Sequence, residues 1–164
     1  MSITSNEFSP ARRLVLKGAG IAALIGLGVV PFGVPQALAA ANDAYPADAF
    51  KQKSEADAIK ALYGKSPEPS DKVKMDAPEI AENGAVVPIS ASTTLADVTS
   101  ISFLVTENPI ALVASYKIPA GTVPNVANRI KMAKTSNVTV IVEAGGKLYS
   151  AVKEIKVTVG GCGG

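Results

Sequence analysis

Between residues 73 and 159 apolar side chains recur at every second position in short runs, a period that fits half-buried β-strands and little else. The runs are Val73 and Met75; Val87, Ile89 and Ala91; Ile101, Phe103 and Val105; and Leu112, Ala114, Tyr116 and Ile118. Asn128, Ile130 and Met132 follow, set against Arg129 and Lys131, then Val138, Val140 and Val142, and finally Ile155, Val157 and Val159. Turn chemistry separates them at Asn83-Gly84, Asn108-Pro109, Pro119-Ala120-Gly121, Ser136-Asn137 and Gly145-Gly146. Seven or eight short strands with no crossover helix between them predict an all-β fold, an antiparallel β-sandwich of immunoglobulin-like type. The chain has one cysteine and no Trp, so the disulfide and tryptophan of antibody domains are excluded.

Ahead of the strands the period changes. Phe50, Ala58, Ile59 and Leu62 fall on one stripe while Lys51, Glu55 and Lys60 face away, which predicts a short amphipathic N-terminal helix over 46–63. Pro46 near its start and Gly64 past its end set its limits. Its default place is against its own β domain. Ser66 to Ser70, with Pro67 and Pro69, is expected to be a linker without strand or helix.

The first 41 residues have the composition of an export signal. Arg12 and Arg13, followed by Leu16 and Lys17, resemble the twin-arginine motif, with Ala11 and Val15 where serine and phenylalanine are usual. The apolar run from Gly18 to Val34 is diluted by five glycines, which suits twin-arginine routing, and Ala37, Ala39 and Ala41 offer a cleavage site. Pro31 and Pro35 cut that run short of a comfortable membrane span. The expected product is periplasmic, without stable membrane association. The chain then divides into a signal peptide (1–41), a helix and linker (42–70), a β-sandwich domain (71–159) and a terminal arm (160–164).

That arm is Gly160-Gly161-Cys162-Gly163-Gly164, and it holds the only cysteine. Glycine accepts either sign of φ, so the pentapeptide has no reason to settle into a helix or strand and is expected to be a flexible tether. Extended, five residues span on the order of 17 Å, and without neighbouring side chains the thiol could enter a narrow tunnel. A frayed terminus would have the same glycines. A thiol left exposed on one invites oxidation, which makes filler a poor account of Cys162. Prenylation wants three residues after the cysteine and this chain has two.

Charge and composition narrow the chemistry. Of 16 basic and 14 acidic residues, three and one lie in the first 41, leaving thirteen of each beyond. A neutral domain with four Tyr and four Phe lacks the basic, aromatic surface of a nucleic-acid binder. Histidine is absent throughout, which removes the commonest general base and metal ligand, so a self-sufficient enzyme is not expected and no catalytic or metal-binding residue is assigned.

Several blocks resemble one known family. They are Ala77-Pro78-Glu79-Ile80-Ala81-Glu82-Asn83-Gly84 with Val87-Pro88, Glu107-Asn108-Pro109, Asn128-Arg129-Ile130-Lys131-Met132-Ala133, and Val157-Thr158-Val159 running into the glycine-cysteine ending. Together they are similar to SoxY, the carrier subunit of periplasmic thiosulfate-oxidising Sox systems; Lys131 stands where the family commonly has arginine. The resemblance implies a non-catalytic carrier, without cofactor, that holds sulfur intermediates covalently on Cys162. It also implies a heterodimer with SoxZ and transient work with the haem protein SoxXA, the hydrolase SoxB and, where present, the sulfane dehydrogenase SoxCD. Two other readings fit parts of the sequence: a structural or adhesive sandwich crosslinked through Cys162, and a ubiquitin-like carrier bearing sulfur on the Gly164 carboxylate. The latter needs an α/β fold and cytoplasmic ATP, against which the strand pattern and export segment both count.

Overall fold

The computed structural model of the chain describes residues 45–159. Arg12, Arg13 and the rest of the export segment lie outside the described residues, as do Gly160, Gly161, Cys162, Gly163 and Gly164. A helix, α1 (Glu55–Tyr63), precedes nine strands: β1 (Glu68–Pro69), β2 (Val73–Asp76), β3 (Ile80–Ala81), β4 (Val87–Thr93), β5 (Val98–Val105), β6 (Leu112–Lys117), β7 (Asn125–Ile130), β8 (Ser136–Ala144) and β9 (Lys147–Val157). One sheet runs β1-β9-β8-β5-β6 with β3 also on β9, and the other runs β2-β4-β7. The all-β immunoglobulin-like sandwich expected from the alternation is the fold observed.

The alternating residues meet between the sheets. Val87, Ile89, Ala91 and Ile130 from one sheet pack with Ile101, Phe103, Val138, Val140, Val142 and Ile155 from the other, all buried. Phe103 is fully enclosed and meets Tyr116 edge to face at 6.3 Å, an arrangement worth about 0.5–1.5 kcal/mol beyond area burial. The β8–β9 hairpin closes on Gly145 and Gly146, both at positive φ (55° and 75°), as a two-residue turn with the twist of its strands requires. A Cβ there would touch nothing, so backbone conformation rather than space demands the glycines.

Two expectations need correction. The helix does not begin at Pro46: a single 3₁₀ turn, Ala49–Lys51, comes first and the chain turns extended at Gln52. The Ala111 N–H donates to the Gln52 carbonyl at 3.0 Å, fixing that break to the β5–β6 loop. The α-helix starts afresh at Ser54, whose Oγ accepts the Asp57 N–H at 3.1 Å. Likewise the 66–70 segment is not a bare linker, because Glu68 and Pro69 pair in parallel with Tyr149 and Ser150 of β9. With β3, also parallel to β9, they make the first sheet mixed at this edge.

The outer face of that sheet carries α1. Ala58 and Ile59 of the helix, with Ala49, pack on Leu104, Leu112, Ile141 and Leu148 in a second apolar cluster. Below the end of the helix, the Tyr63 hydroxyl hydrogen-bonds with Ser102 Oγ at 2.7 Å and Ser100 Oγ at 3.0 Å, and Ser102 donates to Ser115 Oγ. Burial pushes the Tyr63 phenol above its ordinary value, with the serine hydrogen bonds opposing it. Close by, Lys65 Nζ donates to Glu143 Oε1 at 3.1 Å and to the Gly146 carbonyl at 2.7 Å. Burial alone would raise the Glu143 carboxyl, but hydrogen bonds from Thr99 and Lys65, with the charges of Lys65 and Lys117, hold it below its ordinary value.

Candidate functional site

The described chain ends at Val159, three residues before the thiol, so the site that can be built is the root from which the arm departs. Strand β3 lies parallel to the end of β9, with Ile80 opposite Lys156 and Ala81 opposite Val157. The ladder continues past the last strand residue. The Lys156 N–H donates to the Glu79 carbonyl, the Thr158 N–H to Ala81 at 3.1 Å, and Thr158 Oγ1 to the Glu82 carbonyl at 2.8 Å. The final contact reverses direction, the Gly84 N–H donating to the Val159 carbonyl at 2.7 Å. Every residue from Lys156 to Val159 therefore has at least one backbone or side-chain bond holding it.

A second layer supports the first. The buried Gly84 accepts from the Met132 N–H at 2.7 Å, and Met132 itself is fully buried. Asn108 clamps the same loop from the other side, its Nδ2 donating to the Lys131 carbonyl at 2.8 Å and its Oδ1 accepting the Ala133 N–H at 2.9 Å. Thr135 Oγ1 accepts the Val157 N–H on the β9 edge facing away from β3. Asn83 stabilises its own turn through Oδ1, which accepts the Ala85 N–H at 2.8 Å, and Lys153 Nζ donates to the Ala77 carbonyl.

Four blocks far apart in sequence, 77–84, 107–109, 128–133 and 157–159, thus meet around the exit of the arm. Sequence reasoning read Asn83-Gly84 and Asn108-Pro109 only as turns; that an Asn carries both a donor and an acceptor, and can bridge two backbone groups as Asn108 does, was the available signal. Thr135 left no such signal. Arg129 and Lys131 are exposed, as expected of their outward positions, although β7 ends at Ile130 and Lys131 belongs to the loop that Asn108 grips.

Elsewhere no constellation assembles. Among the described residues no group of three or more His, Cys, Asp or Glu side chains could hold a metal, and no buried side-chain polar atom lacks a partner. An open groove of about 650 Å³ on the outer face of β2-β4-β7 includes Asp76, Ser90 and Arg129, with no nucleophile and base in contact. Among the described residues no helix is long and apolar enough to cross a membrane.

Comparison with known proteins bears on these blocks directly. The chain is similar to the solved sulfur carrier protein SoxY from Chlorobium limicola f thiosulfatophilum, with 46% identity over 63% of this chain and 96% of that one, and a TM-score of 0.58. Two superoxide reductases (neelaredoxins) from Ignicoccus hospitalis share 20% and 21% identity over 52% of this chain and 79% and 80% of theirs, with TM-scores of 0.47 and 0.46, too low to argue from. No curated protein gave a significant sequence match. The family model described as sulfur oxidation protein SoxY matches residues 59–162, from within α1 to the cysteine itself. That span takes in every strand of the sandwich and all four blocks at the arm's root, and on it the chain belongs to the SoxY family.

Proposed function

We propose that the mature chain is a periplasmic carrier which holds sulfur intermediates as covalent adducts on Cys162 and presents them to partner enzymes during thiosulfate oxidation. The observation that carries this reading is the root: the chain is bonded residue by residue up to Val159, and beyond it lie only glycines and one thiol. Loading joins the thiol sulfur to the outer sulfur of thiosulfate, releasing one proton and two electrons to a haem acceptor, the role of SoxXA. Hydrolysis by SoxB then adds water across the terminal sulfur–sulfur bond, freeing sulfate and leaving a persulfide on Cys162. Where SoxCD is present, the persulfide sulfur is oxidised for a second hydrolysis. The carrier contributes a nucleophile and a tether, not a catalytic group or a cofactor.

Intact mass of the protein from cells grown on thiosulfate tests this. Adducts of sulfur, sulfonate or thiosulfonate that map to Cys162 are expected; a main form that is a disulfide homodimer, or sulfur on the Gly164 carboxylate, would replace the proposal with one of its rivals.

SoxZ is the proposed permanent partner. Strands β6 and β7 each end a sheet and contain one charged residue apiece, Lys117 and Arg129, little defence against pairing or packing by another chain. Arg129 and Lys131 are the proposed polar contributors to that contact. Export of such a pair on one signal requires the twin-arginine route, which moves folded protein. Arg12→Lys with Arg13→Lys is therefore expected to strand both subunits in the cytoplasm, as measured by cell fractionation; normal periplasmic accumulation would point to the Sec route.

A further inference from the structure

Resting on the carrier reading, the length of chain beyond the root limits where a partner enzyme can sit. Three residue steps separate Val159 from Cys162, a span of about 10 Å when extended. Because Val157, Thr158 and Val159 are themselves bonded to the domain, the tether gains no length by peeling back without breaking those bonds. An enzyme that closes its active site around Cys162 must then lie against the surface surrounding the root. That surface is apolar where it might have been charged. Ile80 on β3 is 58% exposed, Val86 beyond the Asn83-Gly84 turn 56%, and Val159 58%. All three belong to, or directly adjoin, the segments bonded together at the root: Ile80 stands opposite Lys156, and Val86 is two residues from Gly84, which bonds Val159. Single exposed aliphatic residues are ordinary; three gathered at the place where a partner must arrive are not.

We propose that Ile80, Val86 and Val159 form the docking surface for the enzymes acting on Cys162-bound sulfur, and that those enzymes present an apolar rim around their active-site mouths. The same surface serves each enzyme in turn, since the tether has one length. Glu79 and Glu82, exposed beside it, set the charge of its border. The contact is made alike before and at the transition state, so it acts on encounter rather than on bond breaking.

The test is sulfate release by the purified hydrolase from thiosulfonate-loaded carrier, comparing wild type with Ile80→Ser/Val86→Ser and, separately, Val159→Ser. KM for the carrier is expected to rise about tenfold in the double variant while kcat changes less than about twofold, the signature of lost uniform binding. Val123→Ser, at a residue 82% exposed and outside the four blocks, should behave as wild type. Unchanged KM in both root variants, each retaining the wild-type unfolding transition, overturns the proposal. So does loss of self-association or of the permanent partner in the double variant, which would make the surface a subunit interface. A wild-type carrier that takes up no adduct on Cys162 defeats the carrier reading itself, before any variant is compared.

Discussion

Cys162→Ser is expected to reduce thiosulfate-dependent electron transfer in a reconstituted system to background, with no change in the thermal unfolding of the domain. The first half follows from bonding. Loading requires a sulfur–sulfur bond to thiosulfate and removal of two electrons; a serine hydroxyl offers no sulfur, and the chain has no second cysteine to substitute. The second half follows from where the sandwich is held together. Its buried apolar residues run from Val73 to Ile155, and the arm's root is fixed by groups no later than Val159. A substitution beyond that is expected to stay within about 0.5 kcal/mol of wild type. Haem reduction by the partner, followed with thiosulfate and the variant carrier, is the measurement. Turnover near the wild-type rate would mean that the sulfur rides elsewhere, and a lowered melting temperature would mean that the cysteine contributes to the fold.

The inward-facing half of the sandwich was legible because period two is a local property. Val138, Val140 and Val142 alternate, and they point where alternation says they should. The other face of the same strands was not. Ile141 and Leu104 are as buried as their neighbours because α1 covers the outer face of the sheet, and an apolar run such as Val140-Ile141-Val142 has no period from which to read which layer each residue joins. The start of α1 was misplaced for a different reason. Pro46 is a permitted first residue of a helix, but Ser54 with Asp57 three positions on is a stronger start, and the bond from Ala111 to Gln52 that separates the 3₁₀ turn from the helix is long-range.

Strands β1 and β3 left nothing to read. Each has two residues, and each exists because β9 runs past it, offering an edge that Glu68, Pro69, Ile80 and Ala81 pair with in parallel. The candidate site divides along the same line. The thiol and its glycines declare themselves through composition, since no packing argument accounts for them. The clamp beneath them depends on Asn108, Thr135 and Gly84 arriving from three loops, and loop meeting points are set by the whole fold. The resemblance supplied the blocks without their relation; the structure supplies it, as a shared position around one strand end.

That fixed strand end gives the glycines their test. Replacing Gly161 and Gly163 by Val keeps the thiol and the chain length but sets a β-branched side chain on either side of it and restricts φ and ψ at both positions. With the root bonded up to Val159, the added bulk cannot be moved aside by shifting the attachment point; it must be accommodated in the partner's cleft. If the arm threads into enzyme active sites, turnover with those enzymes should fall by about a hundredfold or more, because misplacing a reacting atom by about 1 Å can cost that much. Alkylation of Cys162 by a small reagent should continue at close to the wild-type rate, since such a reagent needs no tunnel. The two measurements separate access from chemistry. Slow alkylation together with slow turnover would mean that the valines bury or deactivate the thiol in the free carrier, whereas wild-type turnover would show that the active sites are open clefts and that threading does not explain the glycines.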